Sequence, residues 1–190
     1  MTNQRKHYKF SVDQYEQMIK HAILDKYDIV ELLRGEIVEK VRPVSARHAA
    51  TKSILGQLFH ELIDKQATVS ACGAIRLADS MLEPDLFLLK RRADNYMHAF
   101  PTAVETLLVV EIADETLAFD RTYKKQLYGE NKIPEYWVVD LIDQRIEVYR
   151  QPQANGEYGE VLCVSHSDSL VLSQLPAIKF HLRELFDPVE

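Results

Sequence analysis

The sequence predicts an α/β fold, an α+β sandwich in which helices flank a mixed central sheet. Three observations predict it. Residues 86–89 and 107–112 are almost continuously apolar, as strands covered on both faces are. Ile54, Leu55, Leu58, Phe59, Leu62 and Ile63 fall on one helical stripe, the pattern of a helix lying on a sheet. Helical and strand patterns also interleave along the chain, which favours layered α/β architectures.

The elements follow in order. Ser11, Val12, Asp13 and Gln14 have the form of a capping box, and Val12, Tyr15, Met18, Ile19 and Ala22 continue at helical spacing. Residues 28–33 and 36–41 are apolar-rich runs about Arg34-Gly35, which reads as a hairpin. Ser45 is placed to cap the second helix. Strands are expected at 69–77, 86–89 and 107–112, then a short helix at 120–128. Further strands are expected at 136–139 and 145–149, with one or two more between 158 and 172. A short helix near 181–186 closes the chain. No repeat or linker interrupts this order, and 190 residues suit one domain, 1–190.

Charge and cysteine usage narrow the function. The net charge of −6 argues against indiscriminate nucleic-acid binding. The first 100 residues carry 15 basic and 13 acidic side chains, the remaining 90 carry 8 and 16, so a phosphate-binding face would draw on Arg42, Arg47, Lys52, Arg76, Lys90, Arg91 and Arg92. Each of these, taken alone, is more simply a solvated surface residue. Cys72 and Cys163 have no metal-ligand spacing and read as reduced core or strand residues. With no apolar leader and no membrane-length run, a cytoplasmic protein with no membrane partner is expected.

The chemistry points to two carboxylates on the two most apolar strands. Asp85 follows Pro84 and directly precedes residues 86–89, and Glu111 lies near the end of 107–112. Carboxylates at the edge of an apolar core are costly unless they meet a cation or hydrogen-bond donors. Two converging from neighbouring strands suit Mg²⁺ or Mn²⁺, which prefer oxygen ligands. A solvated strand end at Glu111 and a turn at Asp85 explain the same spacing. Asp120, Lys124 and Tyr128 share one helix face at four-residue steps, with Asp120 a possible N-cap. A helix-stabilising Asp–Lys pair and a lysine beside the carboxylates are both open, and the pair is the simpler. His48 at the start of the second helix reads as a capping or surface residue that could face the site. Glu31 and Glu36 read as solvent-facing, and Asp114 as a second-tier acid or a helix start. No phosphate-cradling glycine loop, zinc cluster or nucleophile elbow is present in the sequence.

The string from Glu111 through Asp120-Arg121 and Lys124 to Tyr128, then Ile133-Pro134-Glu135-Tyr136-Trp137, resembles the Uma-two family of restriction-endonuclease-like proteins. That family lies in the PD-(D/E)XK nuclease superfamily. Glu31, Gly35-Glu36, Pro43, His48, Arg76-Leu77 and Glu83-Pro84-Asp85 extend the resemblance over most of the chain. The resemblance implies a restriction-endonuclease-like core, with Asp85 and Glu111 as metal ligands for Mg²⁺ or Mn²⁺. It also implies a DNA substrate. The superfamily lysine two residues after the second acid is Ala113 here, and Lys124 is the substitute the resemblance offers.

The expected function is therefore a metal-dependent endonuclease acting on DNA, with catalytic Asp85, Glu111 and Lys124 and a homodimeric assembly. The alternative is a non-catalytic nucleic-acid or protein interaction module on the same scaffold, favoured by the acidic balance and by Ala113.

Overall fold

A computed structural model describes residues 7–24, 29–40 and 45–186. Helix α1 (Val12–Lys20) starts from a complete capping box: Ser11 accepts from the Gln14 N–H, and Gln14 accepts in return from the Ser11 N–H. Strands β1 (Val30–Leu33) and β2 (Glu36–Glu39) form the expected hairpin. Arg34 and Gly35 both have positive φ, 50° and 80°, as a two-residue primed turn requires. A Cβ at Gly35 would meet Lys9 Cβ at 2.9 Å, so the turn needs glycine for space as well. The outer ends of the expected hairpin, Asp28 and Val41, lie outside the described residues, as do Arg42 and Pro43.

Helix α2 (Ala46–Ile63) is capped by Ser45, whose Oγ accepts from the His48 N–H at 3.0 Å. Its stripe buries Leu55, Phe59 and Ile63 completely. These pack with Leu86, Leu88, Val110, Ile112 and Trp137 in one core cluster on one face of the main sheet.

That sheet is built from β3 (Thr68–Ser70), β6 (Leu86–Leu89), β7 (Thr106–Ala113), β8 (Glu135–Asp140), β9 (Arg145–Pro152) and β10 (Tyr158–Ser165). Their order is β10-β9-β8-β7-β6-β3. Only β7 and β8 run parallel, and the other neighbours are antiparallel, so the sheet is mixed. Every residue of β6, β7 and β8 is buried, as their apolar runs predict. The opposite face packs Phe87, Leu89, Val109, Tyr128, Tyr136 and Val138 into a second cluster.

The structure corrects several expectations. The strand expected at 69–77 is two short strands in different sheets. β3 joins the main sheet, while β4 (Ile75–Arg76) pairs with β5 (Met81–Leu82) in a smaller antiparallel sheet, order β2-β1-β5-β4. The two strands expected between 158 and 172 are β10 and β11 (Ser169–Leu172) and the closing helix is α5 (Arg183–Phe186), but an unexpected strand, β12 (Leu175–His181), lies between β11 and α5. Cys72 and Cys163 are both exposed, with Cys163 on β10, so neither is a core residue.

The segment after β7 is longer than expected. It runs through α3 (Leu117–Phe119), a π-helical stretch (Asp120–Lys124) and α4 (Lys125–Glu130). Asp120 therefore lies inside the helical segment and is not its N-cap. π turns insert a residue into a helix and re-aim the side chains around them.

Candidate active site

The register of β6 and β7 brings the two strand-end acids together. Leu86 pairs with Val110 and Phe87 with Val109, so Asp85 lies opposite Glu111 one step further along. Period-two alternation then puts Asp85 with Phe87 and Leu89, and Glu111 with Val109 and Ala113, on the same face of the sheet. A hydrogen bond ties Asp85 to the residue next to Glu111: Ile112 N–H donates to Asp85 Oδ2 at 2.9 Å.

Asp85 has further cationic and donor partners. His48 Nε2 lies 3.0 Å from its Oδ2 and Lys52 Nζ 3.6 Å from its Oδ1. Burial raises the Asp85 carboxyl, but the His48 ring, the Ile112 N–H and Lys52 outweigh it and hold the group below the usual range. His48 is buried and pairs with Asp85, so it is no surface residue.

Glu111 is the reverse case. Burial pushes its carboxyl up to about 8, against the pull of Lys124 and with help from Asp120, Asp85 and Glu31. Lys124 Nζ lies 2.9 Å from Glu111 Oε1 and 3.6 Å from Asp120 Oδ1. Burial alone would lower the Lys124 pKa, but Glu111, Glu31 and Asp120 raise it, so the ammonium stays protonated. Tyr128 donates its hydroxyl to the same Glu111 oxygen at 2.8 Å. The helix face of Asp120, Lys124 and Tyr128 thus turns onto Glu111. Asp120 is buried, accepts from Thr116 Oγ1 at 2.6 Å, and its carboxyl is raised mainly by burial.

Glu31 corrects its sequence reading as a solvent-facing residue. It is 3% exposed, and its Oε1 accepts from the Glu83 N–H at 2.8 Å. Lys40 stands 3.7 Å from Glu31 and donates to the Glu83 carbonyl, so the β1–β2 hairpin is fastened to the segment that carries Asp85. Glu36 is exposed, as expected, at the cavity wall. Asp114 is half-buried and does not line the cavity. Among the basic residues expected on a phosphate-binding face, Arg76 pairs with Asp13 and Glu16, and Arg92 with Asp94 and Glu105. Of the described ones, Lys52 comes to Asp85, and none lines the cavity.

The acids open into a cavity of about 680 Å³ between the hairpin, the β6–β7 strand ends and the α3–π segment. Seven carboxylates line it against two lysines, Lys40 and Lys124. Asp120 Oδ1, buried in this wall, has no hydrogen-bond partner. Among the described residues, no three Asp, Glu, His or Cys side chains form a ready metal cage. Mg²⁺ does not need one, because it binds one or two carboxylates and completes its shell with water and phosphate oxygens. An all-oxygen pair in an acidic wall, beside a buried Asp120 oxygen held only by its 3.6 Å ion pair to Lys124, fits a hard divalent cation.

A solved structure of similar fold is the crystal structure of a "putative nuclease belonging to DUF820" from Anabaena variabilis ATCC 29413. It superposes with a TM-score of 0.70 at 16% sequence identity, covering 93% of this chain and 97% of that one, so the likeness is one of fold. No curated protein matches the sequence. The family model Uma2, described as "Putative restriction endonuclease", matches residues 12–183. With nine-tenths of its length accounted for in this way, the chain belongs to the Uma2 family.

Proposed function

We propose that this protein is a divalent-metal-dependent endonuclease that hydrolyses DNA phosphodiester bonds, with Asp85 and Glu111 as metal ligands and Lys124 as the charge-stabilising residue. The observation that carries the reading is the cross-strand pairing of Asp85 and Glu111 on one face, with Lys124 at 2.9 Å from Glu111. Bound to these two acids, Mg²⁺ or Mn²⁺ supplies Lewis acidity at the scissile phosphate and lowers the pKa of water.

The chain's own residues prepare that chemistry. His48 and the Ile112 N–H fix the Asp85 carboxylate in its ionised form. The Tyr128 hydroxyl and the Lys124 ammonium fix the orientation of Glu111. Lys124, buried and protonated, supplies a fixed positive charge for the phosphate oxygens as negative charge builds on them, and such preorganised donors cost no reorganisation during reaction. Ala113 is fully buried two residues after Glu111, so Lys124 supplies from the helix the charge that the superfamily lysine supplies from the strand.

The test is cleavage of single-stranded circular DNA and of plasmid DNA with Mg²⁺ or Mn²⁺. Asp85→Asn and Glu111→Gln are expected to lose at least about 100-fold in rate while keeping the wild-type circular dichroism spectrum. Cleavage that persists in both variants overturns the reading. A homodimer goes with it, since soluble oligomers are most often two-fold symmetric, and is checked by analytical ultracentrifugation. So does a cytoplasmic location, checked by cell fractionation.

The acidic lining favours a second reading, a non-catalytic interaction module, because seven carboxylates repel a phosphate backbone when no cation is bound. Absence of Mn²⁺ binding at millimolar concentration would decide for it.

A further inference from the structure

At the cavity rim, Phe119 and Tyr123 stack with ring centroids 5.1 Å apart and planes only 9° from parallel. The Arg34 guanidinium covers Tyr123, 5.6 Å from its ring centroid, and is itself held by Glu130 at 2.8 Å. Phe119 remains 41% exposed, and it lines the same cavity as Asp85, Glu111 and Lys124. Phe119 and Tyr123 both line the cavity, so the open ring belongs to an aromatic pair at the site and is not a lone surface side chain.

The helix geometry couples this stack to the charged residues. Phe119, the last residue of α3, and Tyr123 are four residues apart, as are Asp120 and Lys124 of the π-helical stretch that follows directly. One segment therefore presents Lys124 to Glu111 and the aromatic pair to the cavity rim.

We propose that Phe119, backed by Tyr123 and Arg34, is a stacking platform for an unpaired nucleobase next to the scissile phosphate, making single-stranded nucleic acid the substrate class of this site. The inference rests on the hydrolytic reading above. One observation on this chain and one general property of nucleic acids favour an unpaired base over a duplex. The acidic lining gives a phosphate backbone little to hold, so affinity comes from an uncharged contact, and stacking on an aromatic ring is one. A base within a duplex has both faces covered by its neighbours, whereas a single strand offers a free π-face to an open ring.

The test uses a labelled oligothymidylate strand, free or annealed to oligoadenylate, with Ca²⁺ as the divalent ion and fluorescence anisotropy as the readout. Wild type is expected to bind the single strand more tightly than the duplex. Phe119→Leu keeps apolar bulk but removes the π-face, and it is expected to weaken single-strand binding about 10-fold and leave duplex binding unchanged. Phe119→Trp is expected to retain affinity, and its fluorescence to be quenched when the strand is added, because the only native tryptophan, Trp137, is fully buried. Single-strand binding by Phe119→Leu equal to wild type, or an unquenched Phe119→Trp, overturns the platform. If wild type cuts DNA while Phe119→Leu binds the single strand normally, the platform alone falls. If wild type binds neither probe, the hydrolytic reading falls with it.

Discussion

The Ile112 backbone N–H donates to the Asp85 carboxylate at 2.9 Å, which ties one acid of the site to the residue beside the other. The ladder between β6 and β7 reaches Leu86–Val110 and goes no further, and the Asp85 side chain takes the next donor along. A buried N–H left without a partner is costly, so this bond stabilises the strand end and fixes the carboxylate at once. The position of Asp85 relative to Glu111 is therefore a property of the backbone.

His48 is expected to act through Asp85. His48→Ala removes the ring contact at 3.0 Å, one of the interactions that keep Asp85 ionised against burial. Mn²⁺ affinity should fall roughly 10-fold, in the range seen when a partner of a metal ligand is lost. Calorimetric titration measures this, and unchanged affinity would mean that His48 only packs.

Lys124→Met is expected to reduce the cleavage rate by about 100-fold, as the loss of a preorganised positive charge does elsewhere. Lys124→Arg keeps the charge but not the compact ammonium, and should recover part of the rate. Single-turnover kinetics separate the two. A Lys124→Met protein that is folded and as fast as wild type would leave Lys124 with only its ion pairs to Glu111 and Asp120.

Glu111 makes stability depend on pH in a definite sense. Its folded pKa of about 8 lies above the ordinary value of 4.5. Between those two values the unfolded chain has lost this proton and the folded chain keeps it. Without metal, the contribution of this group is therefore full below the lower value and is lost as pH rises towards the upper one, by as much as about 1.4 kcal/mol per pH unit. Glu111→Gln cannot ionise and escapes this loss. Its melting temperature relative to wild type should climb across that window and level off above it. A difference that stays constant with pH would contradict the burial-driven shift.

Gly129 provides a test of packing away from the chemistry. A Cβ there would lie 1.9 Å from the Gly156 carbonyl oxygen, where the β9–β10 connection crosses α4. Both partners are backbone, so neither can step aside cheaply. Gly129→Ala should destabilise the fold by about 1–3 kcal/mol, the usual cost of overpacking. Chemical denaturation measures it, and a neutral substitution would show that the connection is free to move.

Much of this architecture was legible in the residue pattern. The continuous apolar runs of β6 and β7 and the stripe on α2 identify a helix on a sheet buried on both faces, because those periodicities follow directly from what each element covers. Short elements left little trace. β4 and β5 span two residues each, too few for an alternation to register, and with them the smaller sheet went unseen. Glu31 was misread for a related reason. It alternates with apolar neighbours as an exposed residue would, yet β1 packs between β2 and β5, and the Glu83 N–H meets its carboxylate. The relation of Lys124 and Tyr128 was visible as four-residue spacing. What they face was not, because it depends on the π turn and on the long-range placement of Glu111.

The most direct measurement is calorimetric titration of Mn²⁺ into the wild-type protein, Asp85→Asn and Glu111→Gln at one pH. Asp85 and Glu111 acting as joint ligands predicts one ion per chain in wild type and at least about 10-fold weaker binding in each variant. Wild-type affinity in either variant, or no binding to wild type at millimolar Mn²⁺, would contradict it.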